Sequence, residues 1–287
     1  MNNFIIFADS GCDLPPGLLK KMNIELLCLN FSFDGEEKVF SNYDLPYSDF
    51  YKQMRNGKTV STSSVNSADY EAAFEKYLKI GTDILYLGFS SGLSSTYEHA
   101  LIARNTLKEK YPERKIICED SLCASGGYGL LLQLAAEKRD EGQSIDEISE
   151  YIRENRLNIC HWYTVESLVY LKRGGRISSS AAVIGNILDV KPIMHMDDCG
   201  KLVGVSKVRG RKASLKALCD KYGELFLSEA NPVFISHCDC GDDAARLKKM
   251  LEDSYLADVR LICDVGPVIG AHCGPGTVSI FFLGKER

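Results

Sequence analysis

The sequence predicts an α/β protein of two domains, and three observations predict it. Through the first half, short apolar runs typical of buried strands alternate with segments of helical periodicity, which favours a mostly parallel sheet with helices on both faces. Near residue 158 this order changes, so we expect an N-terminal α/β domain over residues 1–157 and a C-terminal α/β domain over residues 158–287. No Pro/Gly/Ser-rich linker separates the two. We therefore expect them to pack closely, with a ligand cleft between them.

Composition and charge exclude several classes of protein. The chain has 287 residues, of which 45% are hydrophobic and 25% charged, as in an ordinary soluble globular protein with a sizeable core. A net charge of -5 argues against a general binder of nucleic acid or of membrane surfaces. No apolar run approaches the roughly 20 residues that span a bilayer. The first residues lack the basic segment of a signal peptide, so we expect a cytoplasmic protein without stable membrane insertion.

The cysteines indicate neither a disulfide framework nor a metal site. There are 11 of them, scattered without a C-x-x-C pair, which is typical of reduced thiols in a cytoplasm. Cys238 and Cys240 lie beside His237, but the C-x-C spacing suits zinc poorly. Buried small hydrophobic residues are the better interpretation. We expect no metal and no cofactor.

Periodicity and end signals predict the elements of the first half. Asp34-Gly35 reads as a hairpin turn, Ser67 as a helix cap and Ser144-Ile-Asp-Glu147 as a capping box. The expected strands lie at residues 4–8, 25–33, 38–40, 84–87 and 115–118. The expected helices are one opened by Pro15 and Pro16, and those over residues 45–54, 68–80, 96 onward, 130–139 and 145 onward.

The second half is interpreted with the same signals. Its expected strands lie at residues 159–164, 192–196, 201–205, 233–237, 258–265 and 277–283, with the second and third forming a hairpin. Its expected helices cover residues 165–171, 181–188, 212–222 and 244–255. A basic glycine loop at residues 172–178 and a glycine-rich loop at residues 266–276 connect these elements.

Hydroxyl-bearing loops at the carboxyl ends of expected strands are the candidate binding loops. The strand at residues 84–87 runs through a serine-rich turn into a helix, which is how α/β proteins present backbone N–H groups and hydroxyls to a ligand. That ligand should be anionic or strongly hydrogen-bonding, because a helix N-terminus carries partial positive charge. The expected binding loops are Asp9-Ser10, a hydroxyl-rich loop at residues 59–67, and the loops at residues 90–96 and 121–126. The hydroxyl side chains that we expect to contact the ligand are Thr62, Ser63, Ser94, Ser95 and Ser121.

Two enzymatic interpretations remain open from the residues alone. Gly88-Phe-Ser-Ser-Gly92 matches the G-x-S-x-G nucleophile elbow, so Ser90 could attack acyl esters with His237 or His272 as base. The residues after Ser90 make the sharp elbow poorly, and a serine that forms a turn or binds a ligand is favoured. Phosphotransfer to a small polyol is the second alternative, and it rests on sheet architecture alone.

Two further stretches carry groups suited to an anion. His272 lies among glycines in Gly270-Ala-His-Cys-Gly-Pro-Gly276, where the backbone approaches a ligand closely and the imidazole can donate a hydrogen bond to it. A histidine satisfied within its loop is the alternative. Arg173 and Arg176 flank Gly174-Gly175. A solvated face is the ordinary interpretation of these charges, and a docking surface for an acidic partner or a phosphate is the sharper one.

Several of these stretches, in this order, resemble the DegV family of bacterial fatty-acid-binding proteins. The family motif has glycine at the position of Ser95, and Ser64, Val65 and Asn66 replace the last three residues of the family's Thr-Ser-Gln-Pro-Ser loop. The stretches that carry the resemblance are Asp9-Ser-Gly-Cys-Asp-Leu-Pro15, Thr62-Ser63, Ser90-Ser-Gly-Leu-Ser-Ser-Thr-Tyr97, Leu171-Lys-Arg-Gly-Gly-Arg-Ile-Ser178, Lys191-Pro-Ile193 and Gly266-Pro-Val-Ile-Gly-Ala-His-Cys-Gly-Pro-Gly276.

The resemblance implies a DegV-like two-domain fold that holds one long-chain fatty acid, such as palmitate, in an apolar tunnel. It implies that Thr62 and Ser94 hydrogen-bond the carboxylate and that His272 supports that end. It further implies a carrier rather than an enzyme: a fatty acid kinase, docked near Arg173, phosphorylates the bound carboxylate to an acyl phosphate for phospholipid metabolism. A buried carboxylate needs hydroxyl and N–H donors, which the candidate loops contain.

Overall fold

A computed structural model of the protein describes residues 3–177, 189–229 and 231–287. The strands are β1 (Phe4–Asp9), β2 (Ile24–Leu27), β3 (Asn30–Phe33), β4 (Val39–Ser41), β5 (Val60–Ser63), β6 (Asp83–Gly88), β7 (Ile116–Asp120), β8 (Ile159–Thr164), β9 (Val190–Met196), β10 (Leu202–Arg209), β11 (Pro232–His237), β12 (Asp258–Asp264) and β13 (Val278–Leu283). The helices are α1 (Pro16–Lys21), α2 (Tyr47–Arg55), α3 (Ser67–Leu78), α4 (Thr96–Lys110), α5 (Ser125–Asp140), α6 (Ile145–Asn155), α7 (Val169–Arg173), α8 (Arg211–Leu225), α9 (Gly241–Tyr255) and α10 (Pro267–Cys273).

The first half contains the predicted parallel sheet. Its strand order is β2-β1-β6-β7, and every neighbouring pair is parallel. In β1 and β6 the residues after the first are buried without alternation, which is the pattern of strands covered on both faces. Helices α1, α3, α4 and α6 pack against this sheet. The expected architecture of the first half is confirmed.

A separate three-stranded antiparallel sheet corrects two predictions in this half. The single strand expected at residues 25–33 is two strands, because the chain leaves the parallel sheet after β2 and enters the order β4-β3-β5. The predicted hydroxyl loop at residues 59–67 begins as β5, where Thr62 pairs with Phe31 of β3. Local propensity identifies such a strand poorly, because the partner that completes its hydrogen-bond ladder is distant in sequence.

The second half forms a mixed six-stranded sheet, with the order β10-β9-β8-β13-β11-β12. The expected hairpin is present as β9 and β10, which pair antiparallel from Leu202↔Met196 to Arg209↔Val190. Only β11 and β12 are parallel neighbours within the described strands. One face of the sheet packs with the first half, since Met196, Phe234 and Phe281 belong to the core that contains β1 and β6.

Helix α5 lies between the two large sheets and starts earlier than predicted. It begins at Ser125 rather than at residue 130, so Gly126, Gly127 and Gly129 are helical instead of forming a loop. These glycines permit close packing: a Cβ on Gly126 would lie 2.7 Å from Phe281 Cδ2, and one on Gly127 would overlap the His161 ring. The helix contacts β8, β11 and β13. The glycine run therefore brings the first half against the second.

Several helix ends differ from the predicted positions. Asn66, not Ser67, caps α3, since its side chain accepts a hydrogen bond from Asp69 N at 2.9 Å. The glycine-rich loop at residues 266–276 contains the helix α10, which Pro267 opens. The capping box at Ser144 is confirmed. The helix expected at residues 181–188 lies outside the described residues. Within the described residues, no helix is long and apolar enough to cross a bilayer.

The chain passes from the parallel sheet of the first half to the six-stranded sheet of the second half between the end of α6 at Asn155 and the start of β8 at Ile159. The second sheet also has a core of its own on the face away from the first half, made with α8 and α9 through side chains such as Leu218 and Leu247. The domain boundary after residue 157 stays a prediction.

Candidate functional site

A cavity of about 280 Å³ lies where the two halves meet. Loops that follow β2, β6 and β7 form one side of it, as expected for ligand sites at the carboxyl ends of parallel strands. β5 and α10 form another part of its wall, and one face of the six-stranded sheet closes it. Much of the lining is apolar, from residues such as Phe89, Leu93, Met196, Val268 and Phe281. Polar side chains from three separate elements converge on it.

Five of the predicted site residues line this cavity: Thr62, Ser63, Ser94, Ser95 and His272. Thr62 and His272 are 210 positions apart in the chain, yet Thr62 Oγ1 lies 2.9 Å from His272 Nε2. The structure thus brings together the two hydroxyl-rich segments and the glycine-flanked histidine. Their contact with a ligand stays a prediction.

Strand β5 and the start of α4 position the hydroxyl groups. Ser94 Oγ lies 2.9 Å from Thr96 Oγ1 and accepts a hydrogen bond from Thr96 N at 3.3 Å, at the first residue of α4. Ser95 Oγ donates to Ser64 Oγ at 3.4 Å, which links this turn to the segment after β5. Hydroxyl groups and a helix N-terminus therefore face the same cavity, as an anion requires.

His272 lies near the end of α10 and is held by close packing. A Cβ on Gly174 would overlap His272 Nδ1, so the glycine at the end of α7 leaves room for the imidazole. His272 Nδ1 is buried without a hydrogen-bond partner among the described residues. Burial first, and then the charge of Arg176, lower the pKa of His272 to about 4. The ring is therefore neutral at pH 7, with one N–H donor and one acceptor.

Arg176 is a cavity residue that the sequence analysis assigned only to a basic cluster. Its guanidinium donates from Nε to Leu93 O at 3.0 Å and from Nη1 to Gly174 O at 2.6 Å. It is the only positively charged side chain among the described residues that line the cavity. Burial lowers the pKa of its guanidinium. The sequence pattern does not indicate that Arg176 lines the cavity while Arg173 is exposed outside it. That difference depends on the path of the chain after α7.

Ser121 lies apart from the cavity, contrary to expectation. It is fully buried, and its Oγ donates to Cys123 O at 3.3 Å and accepts from Cys123 N at 3.0 Å. The cavity lining does not include it. Its hydroxyl closes a tight turn after β7.

Ser90 has the contacts of a structural serine. Its fully buried hydroxyl donates to Gly200 O at 2.8 Å, in the turn of the β9–β10 hairpin. That turn packs so closely that a Cβ on Gly92 would lie 2.6 Å from Cys199 O. A nucleophilic serine needs a base within hydrogen-bond reach, and no histidine among the described residues hydrogen-bonds Ser90.

Arg173 is exposed on α7 and lies outside the cavity lining. It lines a separate surface groove with Lys58 and Tyr170, and its guanidinium lies 5.9 Å from the centre of the Tyr170 ring. Among the described residues, no group of three or more His, Cys, Asp and Glu side chains could hold a metal ion.

The comparisons with known proteins agree with this architecture. The model of a family described as uncharacterised proteins of the DegV family matches residues 3–285. A DegV domain-containing protein of Clostridium perfringens is 45% identical over 292 residues, covering 100% of this chain and 99% of that protein.

Two solved structures share the fold over nearly the whole chain. DegV from Bacillus subtilis, a fatty acid binding protein, has a TM-score of 0.85 and 25% identity, covering 99% of this chain and 100% of that one. A fatty acid binding DegV family protein from Streptococcus agalactiae has a TM-score of 0.87 and 26% identity, covering 100% of both chains. Because the family model and the relatives cover essentially all of the sequence, the chain belongs to the DegV family.

Proposed function

We propose that this protein binds one long-chain fatty acid in the cavity between its two halves and presents the carboxylate to a fatty acid kinase. The observation that carries the first part is the clustering of hydroxyls, a neutral imidazole and one guanidinium at a cavity whose other walls are largely apolar. Fatty acids are amphiphiles of this kind, with one anionic end and one apolar tail.

We propose that the carboxylate binds at Thr62, Ser94 and Ser95. When His272 is protonated on Nε2, its N–H donates to Thr62 Oγ1 across the 2.9 Å contact, and the Thr62 hydroxyl is free to donate to the ligand. Arg176 supplies the positive charge. Hydrogen bonds to an ionised group are short and strong, which offsets the cost of removing a carboxylate from water.

The tail is placed against the apolar walls, among side chains such as Met196, Val268 and Phe281. About sixteen carbons at roughly 0.8 kcal/mol per buried CH₂ would gain on the order of 10 kcal/mol before ordering costs. The Bacillus subtilis and Streptococcus agalactiae proteins of the same fold are fatty acid binding proteins. Their ligand supports the same class of ligand for this chain.

The second part of the proposal is that the chain acts as a carrier for phospholipid metabolism and does no chemistry itself. The kinase would phosphorylate the exposed end of the bound carboxylate and would dock beside Arg173, which faces solvent on α7. The hydroxyl of Ser90 is engaged by Gly200 O, so we do not propose the acyl-ester hydrolase. All cysteines are free thiols, which supports a reducing compartment such as the cytoplasm.

Extraction of the purified protein under denaturing conditions, followed by mass spectrometry, tests the first part. We expect a stoichiometric fatty acid of about 14–18 carbons, such as palmitate, because burial of about that many CH₂ groups offsets the ordering costs of binding. The double variant Thr62→Ala, Ser94→Ala should lose it. Ser61→Ala is the matched control, since Ser61 lies next to Thr62 on β5 but its hydroxyl binds Asp34 at the surface. An empty wild-type extract, with no stabilisation by added palmitate or oleate, would contradict the proposal.

A further inference from the structure

Helix α10, which carries His272, is held at its N-terminus by side chains from the first half of the chain. Asp13 Oδ1 accepts a hydrogen bond from Gly266 N at 2.9 Å, and Asn42 Oδ1 accepts one from Val268 N at 3.1 Å. Both side chains are buried, with 3% and 0% exposure. The cap position of α10 is Gly266, so the helix has no capping side chain of its own. Two distant residues therefore satisfy amide groups that a local cap satisfies in most helices.

Glycine at position 266 is what lets these two caps approach. A Cβ there would lie 2.5 Å from Asn42 Nδ2 and 3.0 Å from Asp13 Oδ1. The backbone of Gly266 has φ -68 and ψ 164, which any residue can adopt. The requirement for glycine at this position is therefore steric and comes from the two capping side chains.

The caps and the ligand site lie on the same short helix. Val268, which receives the Asn42 cap, and His272 are four positions apart, so their side chains lie on one face of α10. Both line the cavity. Between them the helix makes about one turn, of roughly 5.4 Å. A shift or rotation of the capped end is therefore transmitted directly to the imidazole that contacts Thr62 Oγ1.

The two capping side chains contribute less to the stability of the fold than buried apolar contacts would. Asn42 Nδ2 is buried without a hydrogen-bond partner among the described residues. Asp13 Oδ2 is also buried without a hydrogen-bond partner among the described residues, and burial raises the pKa of Asp13 to about 7 although Gly266 N donates to Oδ1. Polar groups buried with incomplete pairing reduce the stability that an apolar contact would provide. Their geometric effect on α10 is the benefit that accounts for them.

We propose that Asp13 and Asn42 are positioning residues for the ligand carboxylate. By capping α10 from the first half of the chain, they set the place where the His272 imidazole meets the Thr62 hydroxyl. The inference rests on the proposed fatty acid site and identifies residues, outside that site, on which recognition of the carboxylate depends.

The test compares two ligands that share a tail and differ in the head group, palmitate and hexadecanol. Asn42→Leu removes one cap, and it should weaken palmitate binding on the order of tenfold. Hexadecanol binding should change by less than about threefold, because the tail contacts are retained and no charged group has lost its partner. Asp13→Asn keeps the acceptor for Gly266 N and should leave both affinities close to those of the wild type.

A double-mutant comparison separates positioning from general destabilisation. In a Thr62→Val background the hydroxyl that His272 orients is gone, so adding Asn42→Leu should cause no further loss of palmitate affinity. Gly266→Ala provides a second variant that displaces both caps without removing a polar group, and it should reproduce the selective loss if Asn42→Leu does not fold. Ser144→Ala is the matched control, because it removes the cap of α6, outside the cavity lining.

The outcomes are distinguishable. If wild-type protein binds palmitate and the capping variants weaken palmitate and hexadecanol by the same factor, or weaken neither, the positioning role is wrong while the proposed function stands. A further loss of palmitate affinity on adding Asn42→Leu to Thr62→Val would also contradict the positioning role. A wild type that binds no fatty acid would contradict the proposed function and, with it, this inference.

Discussion

The contact between Thr62 and His272 is the smallest unit on which the proposed function depends. It joins a strand of the first half to a helix of the second. The neutral state of His272 matters, because an imidazolium would donate from both nitrogens while Nδ1 has no acceptor among the described residues. The pKa of about 4 keeps the ring neutral at pH 7. When Nε2 carries its one proton, Nδ1 needs no acceptor and the Thr62 hydroxyl can donate to a ligand.

Replacing Thr62 with valine tests the hydroxyl at nearly constant volume. A hydrogen bond to a charged group contributes about 1.5–3 kcal/mol, so we expect palmitate affinity to fall by about 10- to 150-fold. Titration calorimetry with palmitate measures it, and Ser61→Ala on the same strand is the control. An affinity within twofold of the wild type would show that the carboxylate lies elsewhere.

The depressed pKa of His272 predicts a pH dependence of stability in the ligand-free protein. Below the ordinary histidine pKa of about 6.5 the unfolded chain takes up a proton, whereas the folded ring stays neutral until about pH 4. Stability is therefore lost as the pH falls through this window. Relative to His272→Gln, the wild type should lose about 2 kcal/mol between pH 7 and pH 5.

Urea unfolding of both proteins at the two pH values measures this difference. Other titrating groups, such as the buried Asp9, are common to the two proteins and cancel. Equal losses in wild type and variant would mean that His272 titrates normally in the folded state.

At the scale of elements, three segments owe their form to neighbours rather than to their own sequence. β5 is a strand because it forms backbone hydrogen bonds with β3. α5 begins before the predicted residue because its glycines pack on His161 and Phe281. α10 is a helix inside a glycine-rich stretch because Pro267 opens it and two distant side chains cap it. All three contribute walls to the cavity. Three of the elements that form the site are thus ones that local patterns predict poorly.

The two glycines after α7 offer a matched pair of substitutions. Gly174→Ala places a methyl group onto His272 Nδ1, although the backbone there is helical and accepts alanine. We expect the ring to be displaced from Thr62 and palmitate affinity to fall about tenfold or more, as for loss of the Thr62 hydrogen bond.

Gly175→Ala is the control for this change. Gly175 has φ +69 and open space around the position of a Cβ. Alanine there should cost about 1–2 kcal/mol of stability from backbone strain, with affinity retained. Calorimetry and thermal unfolding of both variants measure the two effects, and equal affinities would show that Gly174 does not act through His272.

At the scale of the whole molecule, polar contacts tie the two halves together around the cavity. Ser90 Oγ binds Gly200 O of the β9–β10 turn, and the Tyr51 hydroxyl donates to Val265 O at 2.7 Å. An ion pair between Arg55 and Asp239 adds a third link at the surface. Because residues of both halves line the cavity, ligand binding and association of the halves should be coupled.

The proposed carrier role predicts a surface residue whose substitution lowers transfer to the kinase and leaves fatty acid binding unchanged. Arg173→Ala should lower acyl phosphate formation by a fatty acid kinase severalfold, because an exposed rim charge contributes mainly to docking. Palmitate affinity should stay at the wild-type value, since Arg173 lies outside the cavity lining. The readout is acyl phosphate measured by mass spectrometry with kinase, ATP and palmitate-loaded protein.

Lys172→Ala is the control for this prediction, because Lys172 is the exposed neighbour of equal charge on α7. Equal effects of the two substitutions would indicate general electrostatic attraction rather than a specific contact. Unchanged transfer in Arg173→Ala would contradict docking at this position.

Local signals in the sequence predict several of the elements, and its motifs carry the family resemblance. The apolar runs of β1 and β6, the capping box at Ser144 and the β9–β10 hairpin follow from neighbouring residues, whose preferences act within a few positions. Five of the six predicted ligand-contacting side chains line the cavity, and Ser121 does not. The motif order was sufficient to indicate which segments converge.

How these segments converge depends on tertiary contacts. The pairing of Thr62 with His272, the inward path of Arg176 and the capping of α10 by Asp13 and Asn42 join residues that are far apart in the chain. Such contacts form when packing and buried hydrogen bonds outweigh weak local preferences, and no pattern within one segment encodes them. The site therefore exists as a site only in the folded chain.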